Sequence, residues 1–176
     1  MKIGAVIMAV IMALSGICFC SVTEAPAEIP EIVFLRTYDP NDGGGIYSRD
    51  FYDKNGDHYI STDPYVCGLA VRELLMEYGA GELDDKITLH TSCDKEELTE
   101  NYVKMYRAAK GGNCGLAYPD AVPAVEAEKS FLYRIYFDES GEVRTLPIHA
   151  EEYLTQIYSA DKRLNEVYDW FIGTFR

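Results

Sequence analysis

Residues 51–59 read FYDKNGDHY, and residues 136–143 read YFDESGEV. Each is two aromatics, an aspartate, a variable residue, Asn or Ser, a glycine and an acid, after which a strand-like run resumes. An aspartate at that place accepts hydrogen bonds from nearby backbone amides, and glycine reaches positive φ without a steric penalty. Both stretches therefore read as hairpin turns. Working outward, residues 46–52 and 58–62 are the strands of the first hairpin, and 131–137 and 143–148 those of the second. Residues 32–38 (IVFLRTY) form a β-branched and aromatic strand ahead of both.

Helical spacing fills the intervals. Pro64 suits a first helical turn with Thr62 or Asp63 as cap, and Cys67, Val71, Leu74, Leu75 and Tyr78 share one face before Gly79. A second helix opens at Asp94, with Glu97 three residues on, and lines up Leu98, Tyr102, Met105, Tyr106 and Ala109 before Gly111 and Gly112. The last carries Leu164, Val167, Tyr168, Phe171, Ile172 and Phe175. Residues 83–90 (LDDKITLH) read equally as strand or loop, residues 151–158 (EEYLTQIY) as an acidic turn or short helix, and 113–129 resist assignment. The expectation is one α+β domain over residues 32–176. It has a small antiparallel sheet, made of two hairpins plus an N-terminal strand, packed on three amphipathic helices. A helix follows each hairpin, so the same elements also describe a ββα pseudo-repeat.

Residues 3–20 carry no charge and follow Lys2, the pattern of a secretory signal or an uncleaved membrane anchor. Ala25-Pro26-Ala27 resembles a cleavage site, and cleavage near Cys20 is the alternative; Leu14-Ser15-Gly16-Ile17-Cys18 departs from a lipidation signal at the bulky Ile17. Residues 21–31, rich in Pro and Glu, form a linker. The localisation expected is extracytoplasmic, secreted or tethered through residues 1–20. A net charge of −13 repels phosphate backbones and anionic headgroups. Nucleic acid is thus excluded as a partner, and any membrane contact falls to the N-terminal segment alone.

Asp53, Asn55 and Asp57, with Ile60 behind them, also match the opening of a calcium loop. An EF-hand loop needs glycine at its sixth position and a bidentate acid at its twelfth. Here those positions are His58 and Pro64, and the resemblance to EF-hand and dockerin-type loops stops after nine residues. The second turn, YFDESGEV, shows the same letters without a ligand ladder, so turn chemistry accounts for both. A calcium-stabilised domain stays as an alternative, with no cofactor expected.

Cys67, Cys93 and Cys114 follow the leader. A helix separates Cys93 from Cys114 beyond bridging distance. The expectation is no disulfide, with Cys67–Cys114 the reachable pair if one forms. Cys114 followed by His149, with Asp161 to orient the imidazole, has the order of a thiol hydrolase, but the surrounding residues match no peptidase signature. His58, His90 and His149 lack metal-ligand spacing. The fourteen tyrosines fit a half-buried sheet. The function read from these residues is an exported non-catalytic binding module for a protein, small-molecule or glycan ligand outside the cytoplasm. The Cys114–His149 hydrolase is the alternative from another class.

Overall fold

The computed structural model describes residues 28–40, 45–110, 129–152, 155–157 and 161–174. Their elements run β1 (Ile32–Asp39), β2 (Ser48–Asp53), β3 (Asp57–Ser61), α1 (Pro64–Gly68), α2 (Val71–Ala80), β4 (Thr88–Ser92), α3 (Lys95–Lys110), β5 (Lys129–Phe137), β6 (Val143–Glu152), β7 (Thr155–Ile157) and α4 (Lys162–Gly173). The fold is α+β, as expected. One seven-stranded sheet has the order β4-β3-β2-β1-β5-β6-β7, and every neighbouring pair is antiparallel. The N-terminal strand is the centre, and the two hairpins flank it. Each hairpin gains a third strand outward, β4 on one side and β7 on the other.

The helices cover both faces. On one face α3 and α4 set Leu98, Tyr102, Leu164, Val167 and Phe171 against Phe34, Tyr52, Leu132 and Ile148. On the other, α1 and α2 set Val66, Leu74 and Leu75 against Ile32, Leu35, Phe51 and Ile135. A strand covered on both sides needs apolar residues in succession rather than in alternation. In β1 this is the buried run Ile32, Val33, Phe34 and Leu35.

Three details depart from the sequence reading. The helix expected over 64–78 is two helices. Leu69 and Ala70 are both extended, and the buried Arg49 guanidinium donates to the carbonyls of Val66 (3.0 Å) and Leu69 (2.7 Å). A side-chain donor that satisfies the last carbonyls lets a helix stop. Glu73 then accepts from the Ala70 N–H at 2.9 Å and starts α2, which continues past Gly79 to Ala80. Of the ambiguous residues 83–90, Thr88, Leu89 and His90 belong to β4. Within residues 151–158, where an acidic turn or short helix was expected, Glu151 and Glu152 continue β6 and Thr155–Ile157 form β7, which pairs back on it with Glu152 opposite Thr155. The two residues between, Tyr153 and Leu154, include none of the Gly, Asn or Asp that revealed the other hairpins.

Candidate functional site: a cleft beside the first hairpin turn

The two aspartate turns share one architecture. Asp53 Oδ1 accepts from the backbone N–H groups of Asn55 (2.8 Å) and Asp57 (2.9 Å). Its Oδ2 accepts from Asn55 Nδ2 and the Tyr78 hydroxyl, both at 3.0 Å. Asp138 repeats this: Oδ1 accepts from the amides of Ser140 (2.9 Å) and Glu142 (3.0 Å) and from the Ser140 hydroxyl (2.6 Å), and Oδ2 from Arg144 Nε (2.8 Å). The Ser140 and Arg144 bonds hold the Asp138 carboxyl well below the usual carboxylate range. Gly56 and Gly141 have φ of +99° and +81°.

Four donors on two oxygens occupy the lone-pair positions that the Asp53 carboxylate would offer a metal. Asn55 is likewise engaged, its Oδ1 accepting from Lys95 Nζ at 3.4 Å, and Asp57 Oδ1 accepts from Ser92 Oγ at 2.6 Å. Among the described residues no group of three His, Cys, Asp or Glu side chains is placed to hold a metal.

Beside this turn opens a cleft of about 500 Å³, with Glu31, Asp53, Asp84, Tyr59, Tyr78 and Leu89 in its lining. The tyrosine rings form an edge-to-face pair (centroids 5.6 Å apart) backed by Phe51, 5.3 Å from Tyr78 and 5.6 Å from Tyr59. Burial, with the neighbouring Asp53 charge, pushes the Tyr78 hydroxyl up, so it stays protonated as a donor. The partners of Asp53 in the turn are all neutral groups. They orient its charge without cancelling it, whereas Glu31 is matched by Lys54 at 2.6 Å. Asp84 is exposed at the rim, and among the described residues no Lys, Arg or His contributes to the lining. A larger groove of about 920 Å³ lies between α2 and the second turn, where Arg72, Met76 and Phe137 meet acidic and basic residues alike.

The residues of the hydrolase alternative are dispersed or outside view. Cys114 lies outside the described residues. His149 is 3% exposed on β6, with its ring stacked on that of Tyr168 from α4 at 3.6 Å and 19°. Asp161 caps the start of α4, accepting from the Arg163 backbone N–H (2.9 Å), Nε (3.0 Å) and Nη2 (2.6 Å), and Arg163 lowers its pKa. Seven positions of helix, about 10 Å of rise, separate that cap from Tyr168. Cys67 and Cys93 carry free thiols; Cys67 is buried, and burial pushes the Cys93 thiol up to about 11. Residues 1–20, read as the leader, are outside the described residues, and among the described ones no helix is long and apolar enough to cross a membrane.

Sequence reasoning missed two buried polar clusters facing α3 and α4. Arg36 Nε and Nη2 hold Asp50 Oδ2 at 2.8 and 2.7 Å, and the fully buried His58 Nε2 lies 3.5 Å from Asp50 Oδ1. The His58 and His90 rings, 32 positions apart in the chain, meet edge to face at 5.6 Å across the β3–β4 pair. Arg134, also fully buried, lies 4.1 Å above the Tyr102 ring. The only sign of it in FLYRIYF is an arginine in phase with Leu132 on the covered face.

Burial lowers the His149 pKa to about 4 from its ordinary 6.5. The unfolded chain therefore binds this proton first as pH falls. Its contribution is complete above about pH 6.5 and is lost progressively toward pH 4, by up to roughly 3 kcal/mol. Urea denaturation at about pH 7.5 and about pH 4.5 is expected to show less loss on acidification in His149→Phe than in the parent chain. Equal losses would remove His149 from the account of acid sensitivity.

No protein-family model, curated protein or solved structure matches the chain. The functional reading thus rests on the geometry described above.

Proposed function

We propose that the protein is an exported, non-catalytic binding domain, directed out of the cytoplasm by residues 1–20 and carrying its ligand site in the cleft beside the first hairpin turn. The observation that carries the reading is the cleft itself. Its volume falls in the range of ligand sites, and two tyrosines and two aliphatic residues share its lining with Asn55 and the carboxylates of Glu31, Asp53 and Asp84. The scaffold around it is rigid: Asp53 is locked by four hydrogen bonds, and Tyr59 and Tyr78 are packed on Phe51. Rigid elements present ligand groups with little ordering cost.

The test is a melting-temperature screen of the full chain against peptides, glycans and small organic ions. A ligand at about a hundredfold excess over its Kd adds roughly 2.7 kcal/mol, a shift of a few degrees for a chain of this length. The expected result is a class of ligands that raises Tm without being turned over. Turnover of a screened ester or peptide that Cys114→Ala abolishes would replace the binding reading with the thiol hydrolase.

A further inference from the structure

The cleft opens next to an edge of the sheet. Strand β4 is the last in the order and, among the described residues, pairs only with β3. Thr88, Leu89, His90 and Ser92 are exposed, Leu89 to 54% although it is a large aliphatic residue. Sheet edges are commonly guarded against added strands by lysine, proline or inward charge. The sequence TLHTS has none of these. The β3–β4 register shifts between His58 and Tyr59, so His90 lies between two regular pairs, Thr88–Leu89 and Thr91–Ser92, and a strand added beside either would be short. Leu89 and Ile87 are also part of the cleft wall, which places the edge and the cleft within reach of one guest.

Charge selects the guest. Asp53 and Asp84 face the cleft, one bonded only to neutral donors in its turn and the other exposed at the rim. Among the described residues no cationic residue lines the cleft, Lys54 and Lys95 reaching only Glu31 and Asn55 of its wall, and the chain as a whole carries −13. The Tyr59 and Tyr78 rings offer the surface that an ammonium or guanidinium group favours. We infer that this corner of the protein binds a short extended segment of a basic polypeptide. Its backbone adds to β4 and one lysine or arginine side chain enters the cleft. Main-chain hydrogen bonds supply a sequence-independent part of the affinity, and the cleft supplies the choice of side chain. This inference rests on the binding-domain reading and names its ligand class.

The experiment is a fluorescence-anisotropy titration of the full chain with a labelled Thr-Val-Lys-Val-Thr peptide. Three companions go with it: the peptide with Glu in place of Lys, the peptide N-methylated at alternate backbone amides, and N-acetyl-lysine amide as a competitor. The Lys peptide is expected to bind, more weakly as salt rises. The Glu and N-methylated peptides should bind about tenfold more weakly or worse. Asp84→Lys, at an exposed position and with its Tm checked against the parent chain, should weaken the Lys peptide by about tenfold. Equal binding of the Lys and Glu peptides, or indifference to Asp84→Lys, overturns the inference. Tight competition by N-acetyl-lysine amide overturns strand addition and leaves a cleft for free organic cations. If none of these probes binds while the melting screen finds a ligand whose effect on Tm is lost in Asp84→Lys, the basic-peptide assignment fails and the reading of the cleft as a ligand site survives. Cys114-dependent turnover would overturn both.

Discussion

Gly56→Ala is expected to cost about 4 kcal/mol of folding stability, although it adds only one methyl group, at a hairpin turn whose glycine is buried. Two effects combine. The backbone sits at φ +99°, where an L side chain is strained, and a Cβ built there would lie 2.6 Å from the Cys93 carbonyl oxygen. That oxygen belongs to backbone and cannot swing aside, because the Cys93 N–H donates to the Gly56 carbonyl at 2.9 Å and ties the turn to the entry of α3. Gly141 is the control. Its φ of +81° is similar, but nothing lies within 4 Å of the added Cβ, so Gly141→Ala should cost only about 1 kcal/mol. Urea denaturation of the two variants beside the parent chain measures the difference. Similar losses would show that the Cys93 segment gives way.

Arg49→Met should have an effect of comparable size, also about 4 kcal/mol. The side chain is 5% exposed and supplies the donors for the Val66 and Leu69 carbonyls where α1 ends. Methionine fills similar volume and removes both donors, so the Leu69 oxygen loses its side-chain partner and the Val66 oxygen keeps only the long Leu69 N–H bond at 3.4 Å, at roughly 2 kcal/mol each. Burial itself opposes the charge, lowering the Arg49 pKa. Removing the charge therefore returns part of its desolvation cost and sets an upper bound on the loss. Denaturation gives the magnitude, and hydrogen exchange at the amides of α1 and α2 gives its location. A loss below about 1 kcal/mol would mean that the helix break is stable without its cap.

The contrast between these sites explains what could be read from the chain. The turns at Asp53 and Asp138 were legible because their chemistry is local: the aspartate, its amide partners and the glycine lie within five residues. The same holds for the Asp94 cap, whose carboxylate accepts from Glu96 and Glu97 N–H at 2.9 and 3.0 Å. The split between α1 and α2 was not legible, since the apolar spacing continues through it and the residue responsible is Arg49, 17 and 20 positions from the carbonyls it binds. Strand β7 was hidden by the Glu pair before it, which imitates a helix start. The cleft was the least legible feature. Glu31, Asp53, Tyr78, Asp84 and Leu89 come from separate segments, and only the pairing of β3 with β2 and β4, with α2 laid across them, brings the groups together.

The place of β1 at the centre of the sheet also sets an order of events during synthesis. Of the described strands it is the first made, and β2 and β3 can pair beside it as soon as they emerge. Its other edge, however, belongs to β5, which begins only at Lys129. At ordinary elongation rates that partner arrives on the order of ten seconds later. Throughout that interval this strand, IVFL at its start, has one side unpaired. The growing chain must therefore pass through a stage in which its future centre is an open edge, exposed to any other strand that reaches it first.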